Sequence, residues 1–260
     1  MPRRRRFVRN PGRVSPAAYQ FLLGRLMDSQ TQGLVQGYRS VHAANIKISG
    51  EAPEYFAEYK VRDVAALTAN AGEKVSNILD FGSGMGASVP YFMRYFPEAL
   101  LTCVDVSETS LKIAESRFPG EATFQVFDGM NLPLSSQTFD LVFAACVFHH
   151  IDHAEHVSLL GELRRVLKPG GRLLIFEHNP LNPLTVHAVN TCPFDENAKL
   201  ITARLMRARF KTAGFTNTRT AYRIFFPHAL NKLRPLESRL TWLPLGAQYF
   251  VTASKSDCAM

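Results

Sequence analysis

Three strand-like runs in the first half of this chain each end on an acid, and that feature most narrows what it can fold into. "VSNILD" stops at Asp80, "ALLTCVD" at Asp105, and "ATFQVF" runs up to Asp128. Helical apolar spacing fills the gaps. "GASVPYFMRYF" precedes Pro97, and "ETSLKIAESRF" lies between a Ser107 N-cap and "PG" at 119–120. "TFDLVFAACVF" is a near-continuous apolar run of the kind buried on both faces of a sheet. Asp152 and Glu155 have the spacing of a cap for a helix over 153–168 that "KPGG" closes, and "RLLIFEH" reads as a fifth strand. Asp195 is placed to cap a helix running to Gly214, after which "FTNTRTAYRIFF" and "AQYFVTASK" complete the strands. Such alternation predicts an α/β fold, a seven-stranded, mostly parallel sheet with helices on both faces.

With 260 residues, 46% of them hydrophobic and 20% charged, the chain suits one large α/β domain with decorations. Residues 1–15 read as a basic flexible arm and 16–72 as an N-terminal helical cap or substrate lid, with helical spacing over 16–30 and 51–70. The main domain is expected over 73–254, carrying an insert at 227–244, with a tail at 255–260. Apolar runs such as "LVFAACVF" fall far short of the roughly 20 residues of a membrane span. Cys103, Cys146, Cys192 and Cys258 are scattered, as reduced thiols would be, so a cytoplasmic location is expected. The net charge of +8 is local: residues 1–27 hold seven Arg and no acid, and residues 197–240 hold ten Lys/Arg against Glu237 alone. An anionic acceptor, a polyanion or an anionic membrane surface met through the arm would each suit that pattern, as would a solvated basic face. The arm's Arg-rich, acid-free composition is also that of an organelle-targeting segment.

After Asp80 the chain reads "FGSGMGA", with Gly82, Gly84 and Gly86 at every second position. Glycine clusters mark backbone with positive φ or close approach of a ligand, and in such sheets ligands bind at the carboxyl ends of the strands. The stretch can be forced into the G-x-G-x-x-A dinucleotide pattern, a weak signal alone. The acids decide otherwise. Asp80 suits an ammonium, Asp105 a ribose diol, and Asp128, followed by Gly129 and Met130, an adenine amine and ring face. Carboxylates repel a pyrophosphate, so the set points to S-adenosylmethionine.

The stretches "ILDFGSGMG" (78–86), "CVDVSETSL" (103–111), "FDGMNLPLSSQTFDLVF" (127–143), "VFHHI" (147–151) and "LRRVLKPGGRLLIFEH" (163–178) are collinear. In them the sequence resembles the class I S-adenosylmethionine-dependent methyltransferases, nearest to the small-molecule branch with the ubiquinone/menaquinone type. "EHNPLNPLT" (177–185), "NTCPFDENA" (190–198) and "LPLGAQYFV" (243–251) look like bacterial methyltransferases of glycan- and lipid-modifying loci. The resemblance implies a Rossmann-like fold in which Asp80, Gly82, Ser83, Gly84 and Gly86 line the methionine end of the cofactor. It puts Asp105 and Val106 at ribose and adenine, and Asp128, Gly129 and Met130 at the adenine. Ala145 and Cys146 would lie under the cofactor, with Tyr59 or Lys60 from the roofing helix at the methionine carboxylate.

Methyl transfer needs alignment and exclusion of water, and a general base only where the acceptor must lose a proton, as an alcohol or phenol does. His149, His150 and His178 follow the fourth and fifth strands and are the candidate bases, with Glu177 as an orienting partner. No His/Asp spacing has the form of a metal site, so no metal is expected. Arg204, Arg207, Arg209 and Lys211, with Arg234 and Arg239 of the insert, are the residues expected to grip a phosphorylated or carboxylated acceptor. The expected activity is methyl transfer to a small molecule, at oxygen before carbon or nitrogen. An RNA or other nucleic-acid methyltransferase is the alternative. However, "ACVFHH" stands where base-amine methylating enzymes carry an Asn/Asp-Pro-Pro-aromatic element, and no stacking groove is evident. A NAD(P)-binding oxidoreductase and a binding module without catalysis are the other readings.

Overall fold

A computed structural model describes Gly37, Ile46 and residues 49–256. The basic arm and the helix expected over 16–30 lie outside these described residues. The first described helix, α1 (Pro53–Asn70), begins where Pro53 pre-sets the first turn, and it buries Tyr59, Lys60, Val61, Val64 and Thr68. Strands β1 (Asn77–Phe81), β2 (Leu100–Asp105) and β3 (Thr123–Val126) then alternate with α2 (Val89–Tyr95) and α3 (Glu108–Arg117). Ser107 caps α3 as expected, its side chain accepting the Ser110 N–H. The second half runs β4 (Phe139–Ala145), α4 (His156–Val166), β5 (Leu167–His178), α5 (Pro183–Thr191) and α6 (Ala203–Thr212). It finishes with β6 (Thr216–Arg223), α7 (Glu237–Leu240) and β7 (Gln248–Ser254).

The seven strands form one sheet in the order β3-β2-β1-β4-β5-β7-β6. The pairs from β3 to β5 are parallel, and β7 is antiparallel to both its neighbours. After β3 the chain returns to the other side of β1, so a crevice opens at the carboxyl ends of β1 and β4. Both faces are covered. Leu79, Phe81, Val142 and Ile175 pack on one side with Leu159, Leu163, Met206 and Phe210 of α4 and α6. Ile78, Leu141, Phe143 and Phe176 pack on the other with Val61, Val64, Val89 and Phe92 of α1 and α2. This double burial explains why β1 and β4 read as unbroken apolar runs. Among the described residues, no helix is long and apolar enough to cross a membrane.

Several expected boundaries differ. Asp152 does not form the expected reciprocal cap: its Oδ1 accepts the Ala154 N–H, and Glu155 occupies the N-cap without a side-chain bond. "KPGG" lies inside the irregular start of β5, with regular pairing to β4 resuming at Arg172. The loop expected over 179–195 contains α5, whose first turn Asn182 caps by accepting the Thr185 N–H, with Pro183 behind it. Asp195 caps no helix. It ends a short 3₁₀ turn, Pro193–Asp195, and α6 begins later with Thr202 as its cap. The Asp195 carboxylate is committed elsewhere, to two histidines described below. The insert is a 3₁₀ segment, His228–Leu236, followed by α7.

One polar knot ties the amino ends of the central strands. Asp140 Oδ2 accepts the Ser76 and Asn77 N–H groups at 3.0 and 2.8 Å, and its Oδ1 takes Lys168 Nζ at 2.6 Å. Asp140→Ala strands these half-buried donors, at the low end of the about 1–3 kcal/mol that an unpaired buried donor costs. The expected result is a melting temperature lowered by several degrees with no change in the far-ultraviolet dichroism. An unchanged melt would show that the knot does not hold the strand starts.

Candidate active site

The loop after β1 is built by glycine. Gly82 has φ +72° and donates its N–H to Val104 O at 2.8 Å, while a Cβ there would meet Val147 Cγ2 at 2.4 Å. Gly84 has φ +52° with open space where a side chain would stand, and its N–H donates to Asp105 Oδ2 at 2.9 Å. The left-handed backbone thus points an amide at the carboxylate ending β2. Asp105 Oδ1 accepts the Ser107 N–H at 2.8 Å, so both loops hang on one side chain. Beside them Asp80 is 2% exposed, and its Oδ2 is buried with no hydrogen-bond partner. Burial pushes its carboxyl up to about 7, the Asp105 charge adds to this, and Lys60 opposes it.

These residues line one end of a cavity of about 1390 Å³. At the other end the chain gathers histidines. Glu177 is fully buried: its Oε1 accepts the Val147 and Phe148 N–H groups at 3.1 and 2.8 Å, and its Oε2 lies 2.7 Å from His149 Nδ1. Asp195 Oδ1 lies 3.4 Å from Nε2 of both His149 and His150. Burial disfavours charge on His149, yet Glu177 and Asp195 together hold it protonated to about 10. Burial and the His149 charge push His150 down to about 4. The His178 ring stands 5.2 Å from His149, with Nδ1 3.4 Å from Gln248 Nε2. Cys146, at φ +58°, joins the two ends. Its Sγ is 3.5 Å from Lys60 Nζ, and although burial opposes it, Lys60 and His178 bring the thiol down to about 7.

Residues 79–175 match the family model described as a methyltransferase domain. The ubiquinone/menaquinone biosynthesis C-methyltransferase of Desulfotalea psychrophila is 34% identical over 116 residues, covering 44% of this chain and 46% of that protein. The malonyl-[acyl-carrier protein] O-methyltransferase of Methylococcus capsulatus is 26% identical over 193 residues, 67% of this chain and 70% of that one. This chain thus spans about half the length of several curated relatives it matches. Among solved structures, Haemonchus contortus phosphoethanolamine N-methyltransferase 2 in complex with S-adenosyl-L-methionine overlays with a TM-score of 0.62. The identity is 18%, over 95% of this chain and 61% of that one. An Archaeoglobus fulgidus methyltransferase gives 0.56 at 16% identity, covering 75% and 94%. These overlays show the fold. Residues 79–175 are a methyltransferase domain of the class I, S-adenosylmethionine-dependent type.

In and beside this methyltransferase domain, Asp80, Gly82, Ser83, Gly84, Asp105, Val106, Gly129, Ala145, Cys146, Lys60, His149, His150 and His178 all line the one cavity. Gly86 supports the loop from behind, where a Cβ would press on Ala114 and Phe118. Asp128 and Met130 do not line the cavity. Asp128 is spent on its own turn, accepting the Met130 and Asn131 N–H groups and Asn131 Nδ2, which draws its carboxyl down to about 2. Tyr59 packs behind the wall and donates its hydroxyl to Gln248 Oε1. Asp195, Gln248 and Arg117 were not marked by the sequence as cavity residues. Asp195 and Gln248 follow none of the acid-tipped strands, Arg117 stands at the far end of α3, and Asp195 reads as an ordinary helix cap.

The orphaned Asp80 oxygen is the fit test for the cofactor. A buried carboxylate oxygen that no protein donor reaches suits the ammonium of S-adenosylmethionine, and Asp105 at the next strand end suits its ribose hydroxyls. With no hydrogen-bond partner from the protein, the same oxygen carries a penalty. An Asp outside the fold titrates near 3.8 and this one near 7, so the folded state resists ionisation and stability is lost as pH rises between those values. Asp80→Asn should therefore raise the melting temperature more at pH 8 than at pH 5. An equal effect at both would contradict the raised carboxyl.

Proposed function

We propose that this chain transfers the methyl group of S-adenosylmethionine to an oxygen of a small-molecule acceptor, an alcohol, a phenol or a hydroxyl of a sugar or lipid-like compound. The observation carrying the cofactor half is the buried Asp80 oxygen beside Asp105 in the β1/β4 crevice. When bound, the cofactor supplies a methyl carbon already activated by its sulfonium. The protein's part is alignment and exclusion of water, worth up to roughly 7–11 kcal/mol for well-held reactants. Asp80 and Asp105 hold the cofactor's amine and ribose. α1 roofs the cavity and is fastened by Tyr59 to Gln248 and by Lys60 to Cys146.

A hydroxyl acceptor must lose its proton. His149 is engaged at Nδ1 by Glu177, and both His149 and His150 face Asp195 with Nε2, which leaves His178, at the tip of β5 between Cys146 and Gln248, as the proton acceptor the geometry favours. Lys60 and Arg117 are the lysine and arginine lining the cavity, whereas Asp152, Glu155, Asp195 and Glu196 stand at the histidine end. An uncharged hydroxyl suits that end better than an anionic group. The arginines expected to hold an anion sit elsewhere. Arg234 Nη2 pairs with Glu51, its guanidinium lies 4.7 Å over the Tyr55 ring, and Arg209 contacts His156.

Calorimetric titration of the purified protein should give micromolar affinity for S-adenosylhomocysteine and no binding of NADH. Asp105→Ala should weaken it about 10- to 100-fold, the range of a hydrogen bond to a charged group. NADH binding, or unchanged affinity in that variant, would remove the cofactor assignment. Transfer of labelled methyl to a panel of phenols and alcohols then tests the acceptor. His178→Ala should lower kcat on the accepted compound about 10²- to 10⁴-fold while leaving cofactor affinity intact. A wild-type kcat in that variant would release His178 from the role.

A further inference from the structure

Two short 3₁₀ turns face each other across the cavity, Phe148–His150 after β4 and Pro193–Asp195 after α5. We infer that His149 Nε2, His150 Nε2 and Asp195 Oδ1 form a binding site for a divalent first-row transition ion, zinc by ligand type. The three donor atoms lie within 4.8 Å of one another. Both Nε2-to-Oδ1 separations are 3.4 Å, beyond the usual hydrogen-bond range of about 2.7–3.2 Å. They match the edge of a tetrahedron whose metal–ligand bonds are about 2.0–2.1 Å, which is close to 3.3–3.4 Å. Two imidazoles and one carboxylate are the donor set that such ions take when a coordination position is left open.

The surroundings are those of a built site. Glu177 takes the Nδ1 side of His149 at 2.7 Å, which turns Nε2 toward Asp195 and raises the basicity of the ring as a ligand, and an ion bound there would displace the Nε2 proton to solvent. Glu177 is itself fixed by the Val147 and Phe148 N–H groups, so the turn bearing both histidines is held from behind. The main chain closes the arrangement: Lys199 N–H donates to His149 O at 2.7 Å, and Asp195 N–H donates to Cys192 O at 3.0 Å. Burial grades from His149 at 1% side-chain exposure through Asp195 at 14% to His150 at 27%, so the open position faces the cavity. The histidines are adjacent in sequence and the acid comes from a distant turn, which is why no motif spacing announced them.

The site does not depend on the methyl-transfer reading, but its role rests on it. An ion there would take an acceptor hydroxyl or phenol as its fourth ligand, favouring the deprotonated oxygen and holding it on the histidine side of the cavity. The proton leaves to solvent or to His178, and the oxygen keeps its electron pair for the new bond to carbon.

The test uses the full chain, stripped with a chelator and titrated with zinc alone in a calorimeter, with cobalt as a spectroscopic stand-in. One equivalent binding at micromolar affinity or tighter, with visible cobalt bands of nitrogen/oxygen tetrahedral type, is the expected result. Asp195→Ala and His150→Ala should each weaken zinc at least 100-fold, and Glu177→Gln about 10- to 100-fold. S-adenosylhomocysteine affinity, measured on the same preparations, reports whether the fold and cofactor site are intact. Zinc binding lost with cofactor binding kept supports the site. Loss of both in Asp195→Ala passes the decision to His150→Ala, the more exposed ligand. Zinc weaker than millimolar in the wild type, full affinity in His150→Ala, or a cobalt spectrum of thiolate type from Cys146 or Cys192 would overturn it. Failure of S-adenosylhomocysteine to bind a protein that still binds zinc would sink the methyltransferase reading and leave the metal site standing.

Discussion

Everything at the histidine end of the cavity hangs on one buried carboxylate. Glu177 has no exposed surface, and it is kept charged against the cost of burial by donors on three consecutive residues, Val147, Phe148 and His149. A charge in such a place is tolerated only when hydrogen-bonded this fully. Its three bonds clamp the tip of β4 to the tip of β5, and the turn thus fixed carries both histidines. The same clamp leaves Cys146 in its left-handed conformation, with its N–H donating to Phe176 O at 2.8 Å. Cofactor loop, thiol and histidine turn are therefore registered against a single side chain in the middle of the sheet.

The central sheet was legible because its strands are buried twice over. In β1 and β4 both alternating faces meet apolar helices, so the local composition alone carries the signal and the acids at the tips stand out against it. Asp80 and Asp105 stand out in the sequence for the same reason, and both line the cavity. Asp128 lies outside that lining, since an exposed Asp followed by Gly-Met-Asn satisfies its own loop. Helix starts after β4 were misread where one side chain had two uses. Asp195 has the form of a cap, yet its carboxylate faces imidazoles that only the fold brings near. α5 was hidden because Asn182 and Pro183 read as loop residues until the Thr185 N–H is seen to bond Asn182.

Charge told a coarser story. The basic excess suggested an anionic acceptor, a polyanion or an anionic membrane surface, but several described arginines spend themselves on structure. Arg172 pairs with Glu73, Arg223 with Asp63, and Arg165 with Glu162 and the Leu132 and Leu134 carbonyls. A net charge counts residues without saying which already have partners, and here the histidine end of the cavity carries acids instead.

The roof of the cavity has a mechanical consequence. Helix α1 stands at the front of the described chain, yet Tyr59 is bonded to Gln248 at the first residue of β7, nearly at its end. That strand runs against the direction of its neighbours, so its beginning lies beside the finish of β5, next to His178. Lifting the roof therefore pulls on the same residue that touches His178. The roof of the cavity and the setting of the proposed base thus meet in one glutamine, bonded to Tyr59 through its oxygen and facing His178 with its nitrogen.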